Sequence, residues 1–255
     1  MQRAPGRLYA GTSGFSYAAW APRFYPAGTR PAGMLARYAA RLPAVELNNT
    51  FYRQPRPEVI VGWLAATPAH FRFVVKAQRG AASRAFGVAG SSSHALAESV
   101  GWLTAPYRLF GERLGCVLFR VPDNVERDDE RLAGLLRAWP SDLPLTLELQ
   151  HPTWVADEVH ELLREHGAAL CATDLDDGPE SDLRRTGSHV YLRLRRTAYP
   201  DVDLARWAER LRPFLEDGSD CYAFLRHDDS GESALRAEQL TRLLTPSRAM
   251  PPARP

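Results

Sequence analysis

Hydrophobic positions alternate along the chain between short runs that predict β-strands and amphipathic segments that predict α-helices, and this alternation occurs eight times. Each helical segment follows a strand and carries apolar residues three or four positions apart, except after the sixth strand, where at most a short helix near Ser181 is predicted. The predicted strands are Leu8–Thr12, Ala44–Leu47, Phe71–Lys76, Cys116–Arg120, Leu145–Gln150, Ala168–Ala172, His189–Arg195 and Cys221–Leu225.

Eight strand–helix units with short connections predict an α/β protein built as a (β/α)8 TIM-type barrel, because parallel strands need helical crossovers and eight of them close a barrel. The 255 residues suit one such barrel, and no linker divides them. We therefore predict a single domain over residues 1–245 and a disordered tail over residues 246–255. An open doubly wound sheet is the alternative, although no glycine-rich phosphate loop follows the first strand.

Composition and charge narrow the function classes only modestly. Hydrophobic residues make up 45% of the chain and charged residues 24%, as is ordinary for globular proteins. No apolar run approaches a membrane span and no apolar leader is visible, so we expect a cytoplasmic protein without membrane contact. The net charge of +2 gives no general attraction to nucleic acid. The oligomeric state stays open.

The candidate chemistry lies at the strand ends, which face the mouth of a barrel. Glu46 and Glu148 stand between large hydrophobic residues, in Val-Glu-Leu and Leu-Glu-Leu, so strand alternation directs both carboxylates to the barrel interior. Lys76, the only lysine among 32 basic residues, ends the third strand, and Asp174 follows the sixth. We predict that these four residues are catalytic; a structural ion network is the alternative.

The other polar and aromatic residues near the strand ends are predicted to bind substrate. The aromatic members either stack against a ligand or pack over the barrel mouth. This predicted binding set contains Ser13, Tyr17, Trp20, Asn48, Thr50, Tyr52, Gln150, His151, Trp154, Arg193, Arg226 and His227.

A divalent metal is a possible cofactor, because carboxylates and histidines converge on one rim. No compact metal motif such as His-Glu-x-x-His is present, so the sequence leaves the cofactor undetermined.

Several separated motifs occur along the chain: Gly11 to Tyr17 with Trp20, Phe24 to Pro26, Val45 to Tyr52, Pro68 with Phe71 to Phe73 and Lys76, Glu148 with His151, Pro152 and Trp154, Asp174, and Tyr191 with Arg193. In this order they resemble the motifs of the YecE-like family, catalogued as domain of unknown function 72. The match runs from about residue 8 to residue 244, and it implies a TIM-type barrel without specifying an activity. The chain departs from the family where an Ile-Thr-His element is expected, since Ala81, Ala82 and Ser83 stand there. It also carries Gln150 in place of an arginine, and Arg226 and His227 in place of an asparagine pair.

Two functions from different classes follow. The first is an enzyme, a hydrolase or isomerase, that acts on a small phosphorylated, sugar-like or nucleotide-like substrate, with Glu148 or Glu46 as general base, Lys76 as its acidic or electrostatic partner and Arg193 as an anion clamp. The second is a nucleic-acid or nucleotide binding protein without catalysis, which the arginines at the seventh and eighth strands favour. An inactive interaction scaffold is the third possibility.

Overall fold

The computed structural model describes residues 4–87, 92–179 and 181–245, and eight β-strands form its centre. The tail that the sequence predicts over residues 246–255 lies outside the described residues. All eight predicted strands are confirmed, with ends shifted by at most two residues. The strands are β1 Leu8–Thr12, β2 Ala44–Leu47, β3 Arg72–Lys76, β4 Leu114–Val121, β5 Leu145–Leu149, β6 Ala169–Asp174, β7 His189–Leu194 and β8 Asp220–Leu225.

Helices follow most of the strands. In the described residues they are α1 Pro31–Ala39, α2 Asn49–Tyr52, α3 Pro57–Ala65, α4 Gly80–Phe86, α5 Ser93–Thr104, α6 Asp129–Ala138, α7 Asp157–Glu165, α8 Asp201–Glu216 and α9 Glu232–Leu244, with 3-10 turns at Ala18–Trp20, Ala105–Arg113 and Pro152–Trp154. The pattern did not predict α2 or α4, and α4 contains the Ala81–Ser83 segment. In the described part of the β6–β7 connection no helix forms near Ser181.

The strands form one parallel sheet in the order β1-β8-β7-β6-β5-β4-β3-β2, which is the sequential order of a TIM-type barrel. An isolated parallel bridge between Ser13 and Glu46 joins β1 to β2 and nearly closes the barrel. At this seam β1 approaches β2 so closely that a Cβ on Gly11 would lie 2.1 Å from the carbonyl oxygen of Ala44. A residue without a side chain therefore permits the closure.

Alternation along the strands separates two cores. Outward-facing residues pack against the helices in a large apolar layer. The inward-facing residues of the barrel form a second, smaller cluster of Tyr9, Ala44, Val74, Cys116, Leu118, Cys171, Tyr191, Tyr222 and Phe224. The three cysteines are free and buried. No helix of the described chain is long and apolar enough to cross a membrane.

Candidate active site at the barrel mouth

Glu46 is the most completely enclosed charged group of the barrel interior, with no exposed surface. Its Oε1 accepts hydrogen bonds from Ser13 Oγ at 2.7 Å, Arg193 Nη2 at 2.8 Å and Arg195 Nη2 at 3.0 Å. Its Oε2 accepts one from the Tyr191 hydroxyl at 2.8 Å. Burial raises the pKa of Glu46, but the charges of Arg193 and Lys76 and these hydrogen bonds outweigh it and hold the pKa below its ordinary value.

Glu148 shares Arg193 with Glu46. Its Oε1 accepts from Arg193 Nη1 at 2.6 Å and from the Thr173 hydroxyl at 3.3 Å. Its buried Oε2 has no hydrogen-bond donor among the described residues, and Arg120 Nε lies 3.6 Å away. Glu46 is therefore saturated with donors, whereas Glu148 keeps one acceptor oxygen for another group.

Lys76 ends β3 on the same inward face and is only 8% exposed. Among the described residues its ammonium group forms no hydrogen bond or ion pair with a carboxylate, and its nearest recorded contact is the ring of Phe51, with Nζ 4.6 Å from the centroid. Burial lowers the pKa of Lys76 and the charge of Arg193 lowers it further, while Glu46 and Glu148 oppose the shift; the net pKa is below the ordinary value.

A cavity of about 370 Å³ opens above these groups and has a strongly cationic lining. The described residues that line it include five basic side chains and no carboxylate. They are Tyr17, Asn48, Phe51, Tyr52, Lys76, Arg120, Arg193, Arg195, Arg226 and His227. Among the described residues these five cations form ion pairs with only two carboxylates, Glu46 and Glu148, so an anion that enters the cavity meets an excess of positive charge.

Aromatic groups shape two parts of the cavity wall. Tyr17 stacks on the His227 imidazole with ring centroids 4.9 Å apart and planes 3° from parallel. Across the lining, Phe51 packs edge-on against Tyr52, which is 70% exposed. Asn48 donates from Nδ2 to the Ser13 carbonyl at 3.1 Å, which ties the loop after β2 to the end of β1. A ligand in this cavity could therefore contact both the aromatic rings and the basic side chains of the lining.

Asp174 lies outside this cluster, although the sequence analysis included it with the catalytic residues. Its side chain points outward from β6 toward α8, where Oδ2 accepts from the Tyr199 hydroxyl at 3.0 Å and Trp207 Nε1 at 3.1 Å, and Oδ1 accepts from Arg196 Nε at 3.0 Å. Thr173 takes the inward position and contacts Glu148. The two-residue alternation of the strand places Asp174 among structural partners.

Trp20, Trp154 and Thr50 also lie away from the cavity and are almost fully buried. The indole of Trp20 donates to the Asp228 carbonyl at 2.7 Å, and that of Trp154 donates to the Val125 carbonyl at 2.9 Å. The Thr50 hydroxyl donates to the Lys76 carbonyl at 2.8 Å, so it fixes the backbone that carries the lysine. In this structure the two indoles pack beneath loops, and Thr50 positions the end of β3.

Gln150 and His151 occupy the edge of the site. Gln150 Oε1 accepts from Arg120 Nε at 2.9 Å and so orients a guanidinium of the cavity lining. His151 caps the 3-10 turn Pro152–Trp154 through Thr153, and it is absent from the lining. Of the predicted binding set, Tyr17, Asn48, Tyr52, Arg193, Arg226 and His227 line the cavity, while Ser13 supports it through Glu46.

Tyr191, Arg195 and Arg120 contact the two glutamates directly but were not in the predicted set of site residues. A signal for the first two was available, because residues two positions before and after Arg193 on β7 share its face. Arg120 pairs in register with Glu148 on the neighbouring strand, and only the strand pairing reveals that contact.

The donors at the mouth do not form a metal site. The described residues contain no group of three or more histidine, cysteine, aspartate or glutamate side chains placed to hold a metal ion. Glu46 and Glu148 share the Arg193 guanidinium instead.

Comparison with solved structures identifies the same fold in two other proteins. A DUF72 family protein from Thermotoga maritima is 26% identical, with a TM-score of 0.79, and the match covers 93% of this chain and 98% of that one. A DUF72 family protein from Enterococcus faecalis is 19% identical, with a TM-score of 0.76, and covers 94% and 96% of the two chains.

Sequence comparison leads to the same group. The chain is 22% identical over 253 residues to the UPF0759 protein YunF of Bacillus subtilis, a match that covers 86% of this chain and 89% of the relative. The model of the family described as "Protein of unknown function DUF72" matches residues 9–255, which confirms the resemblance read from the motifs. With nearly its whole length matched, this chain belongs to the DUF72 family.

Proposed function

We propose that this protein is an enzyme that binds a small anionic substrate, such as a phosphorylated sugar, in the cavity at the barrel mouth and acts on it by acid–base chemistry. The observation that carries the proposal is the cavity lining, in which five basic side chains face a volume of about 370 Å³ without a carboxylate among the described residues. That volume lies in the usual range for small-molecule sites.

Side chains recognise the anion, because the N-terminus of the neighbouring helix α9 is already capped by a carboxylate of the chain. The Asp228 carboxylate accepts from the backbone N–H groups of Ser230 and Ser233 at the beginning of α9, where an anion would otherwise bind. Arg226, Arg120 and Lys76 remain as cations whose positive charge no close carboxylate fully balances. Arginine forks suit the planar or tetrahedral oxygens of carboxylates and phosphates.

The two glutamates divide their roles. Glu46 holds Arg193 and Arg195 in place, and its lone pairs are engaged by four donors. Glu148 does not line the cavity itself, but it is ion-paired with the lining residues Arg193 and Arg120, and its unengaged Oε2 makes it the better general base. Lys76, whose pKa is lowered by burial, is the group that donates or accepts a proton on the other side of the substrate.

Nucleotide or nucleic-acid binding without catalysis has less support. Arg193 and Arg195, which favoured it in the sequence, are engaged with buried glutamates, and Arg196 is engaged with Asp174. The stacked Tyr17 and His227 rings are compatible with a nucleotide base, so a nucleoside monophosphate belongs in the ligand panel.

The claim that the cavity binds an anionic substrate is tested by calorimetric titration. Ribose 5-phosphate is the ligand, and ribose is the matched uncharged compound. We expect the phosphate ester to bind at least tenfold more tightly than ribose. Arg226→Gln should weaken it by about tenfold, equivalent to about 1.4 kcal/mol. Arg37→Gln, an exposed change on α1, is the matched control and should leave affinity unchanged. Equal affinity for both sugars, or equal effects of both variants, would contradict anion recognition at the mouth.

The catalytic half is tested by proton NMR in D2O with a panel of sugar phosphates. A general base should exchange hydrogens at carbons next to the substrate carbonyl, and Glu148→Gln should abolish this exchange with little change in melting temperature. A variant that exchanges as fast as the wild type would remove Glu148 from the mechanism, and a large loss of stability would favour the structural ion network.

A further inference from the structure

Lys76 differs from the guanidinium groups around it in the contacts that it makes. Arg193 bridges Glu46 and Glu148 and Arg195 binds Glu46, each within 3.0 Å. Lys76 has no comparable partner among the described residues, although it is almost completely buried. A buried lysine that serves structure normally pairs with a carboxylate, and two carboxylates are close enough to act on this one through their charges. Both of these carboxylates, Glu46 and Glu148, form ion pairs with Arg193 instead.

The surroundings of Lys76 make its ammonium group easier to deprotonate than that of an exposed lysine. Its neighbours include the cations Arg193 and Arg120, the aromatic face of Phe51 covers its Nζ, and little water reaches it. Burial and the charge of Arg193 lower its pKa. Desolvation and neighbouring positive charge are the two features that make a lysine amine nucleophilic, and the amine lines the cavity in which the proposed substrate lies.

We propose that Lys76 forms an imine with the carbonyl carbon of an anionic aldehyde or ketone, a phosphorylated or carboxylated carbonyl compound, bound in the mouth cavity. This inference rests on the proposed function and names its substrate class. The amine nitrogen of Lys76 attacks the carbonyl carbon, the carbonyl π-electron pair moves to oxygen, and that oxygen takes up a proton. The resulting carbinolamine loses its oxygen as water, and the nitrogen loses its protons as the C=N bond forms. One amine and one carbonyl give one imine and one water, so no oxidant or reductant is needed.

The position of Glu148 gives the imine a use. A C=N bond draws electrons from the neighbouring carbon, and the unengaged Oε2 of Glu148 is an acceptor for the proton released there. Arg226 and Arg120 hold the anionic end of the substrate at the same time. Isomerisation and carbon–carbon cleavage next to a carbonyl are the reaction classes that this arrangement serves.

Borohydride trapping tests the proposal, and the composition of the chain makes the readout clear. Lys76 is the only lysine, so the α-amino group is the one other primary amine of the chain. The full chain is incubated with dihydroxyacetone phosphate or pyruvate and reduced with sodium cyanoborohydride, and its peptides are analysed by mass spectrometry. Uncharged dihydroxyacetone is the matched probe. We expect an adduct on Lys76 with at least one anionic probe, at least tenfold above that with dihydroxyacetone.

Lys76→Arg separates the imine from simple anion binding, because it keeps the positive charge and removes the nucleophilic amine. We expect it to bind the trapped probe within about threefold of wild-type affinity by calorimetry and to form no adduct. Binding by the wild type without an adduct on Lys76 overturns the imine and leaves the proposed function intact. Equal trapping of charged and uncharged ketones, or an adduct confined to the α-amino group, overturns it as well. If neither anionic probe nor ribose 5-phosphate binds, the proposed function fails together with the imine.

Discussion

The two ends of the barrel interior accommodate polar groups in opposite ways. At the C-terminal end, Glu46 and Glu148 are charged and share the cation Arg193. At the N-terminal end, His189 is neutral and lies edge-on to Tyr222, with Nε2 hydrogen-bonded to the Thr146 hydroxyl at 2.7 Å and Nδ1 to the Ser188 hydroxyl at 3.2 Å. Burial alone lowers the pKa of His189 to about 4. The buried carboxylates at one end keep their charge by pairing, whereas the buried imidazole at the other end is neutral, which indicates that the buried charges are kept for something other than packing.

The largest effect should come from breaking the pairing at the charged end. Arg193→Met leaves two buried carboxylates without their shared cation, and we expect the free energy of unfolding at pH 7 to fall by about 3 kcal/mol or more in urea denaturation. The variant that adds Glu46→Gln and Glu148→Gln should recover part of the loss. Arg226→Met, at an exposed position of the same mouth, is the control and should cost less than about 0.5 kcal/mol. A small loss in Arg193→Met would mean that the pairing is not essential to the fold.

Acid should weaken the neutral end over a defined pH range. The pKa of His189 is about 4 in the folded chain and about 6.5 in the unfolded one, so below pH 6.5 the unfolded state binds a proton that the folded state does not. Its contribution to stability is therefore complete above pH 6.5 and is lost as pH falls toward 4, by about 1.4 kcal/mol per pH unit and about 3 kcal/mol in total.

Urea denaturation between pH 6.5 and pH 5 measures this slope before the carboxylates begin to titrate. The slope should diminish in His189→Asn and persist in His70→Gln, where the histidine is exposed. An unchanged slope in His189→Asn would show that another group carries the pH dependence.

Lys76→Met should change the free energy of unfolding least, and it should raise this free energy where Arg193→Met lowers it. The environment disfavours the charged amine, so we expect an unchanged or slightly higher free energy of unfolding, by up to about 1 kcal/mol, together with loss of function. Urea denaturation beside ligand titration measures both. A loss of more than about 2 kcal/mol would instead make Lys76 a structural residue.

The inward positions of Glu46 and Glu148 could be predicted, because the large hydrophobic residues on either side of each glutamate determine which face of the strand is turned to the helices. In Val-Glu-Leu and Leu-Glu-Leu the flanking residues must face the helices, so Glu46 and Glu148 had to face inward. Around Asp174 the preceding residues are Ala172 and Thr173, which are small or ambivalent and do not identify the outward face. The partners that hold Asp174 come from α8 and the loop before it, and no local pattern predicts contacts between such distant segments.

The claim that the cationic mouth is a ligand site is tested by a crystal structure of the wild-type protein, from crystals grown with sodium tungstate. Tungstate resembles phosphate, and its anomalous signal locates the bound anion directly. We expect a tungstate ion in the cavity, in contact with Lys76 and with Arg226 or Arg120. Tungstate bound only at exposed arginines elsewhere on the surface, with none at the mouth, would contradict it.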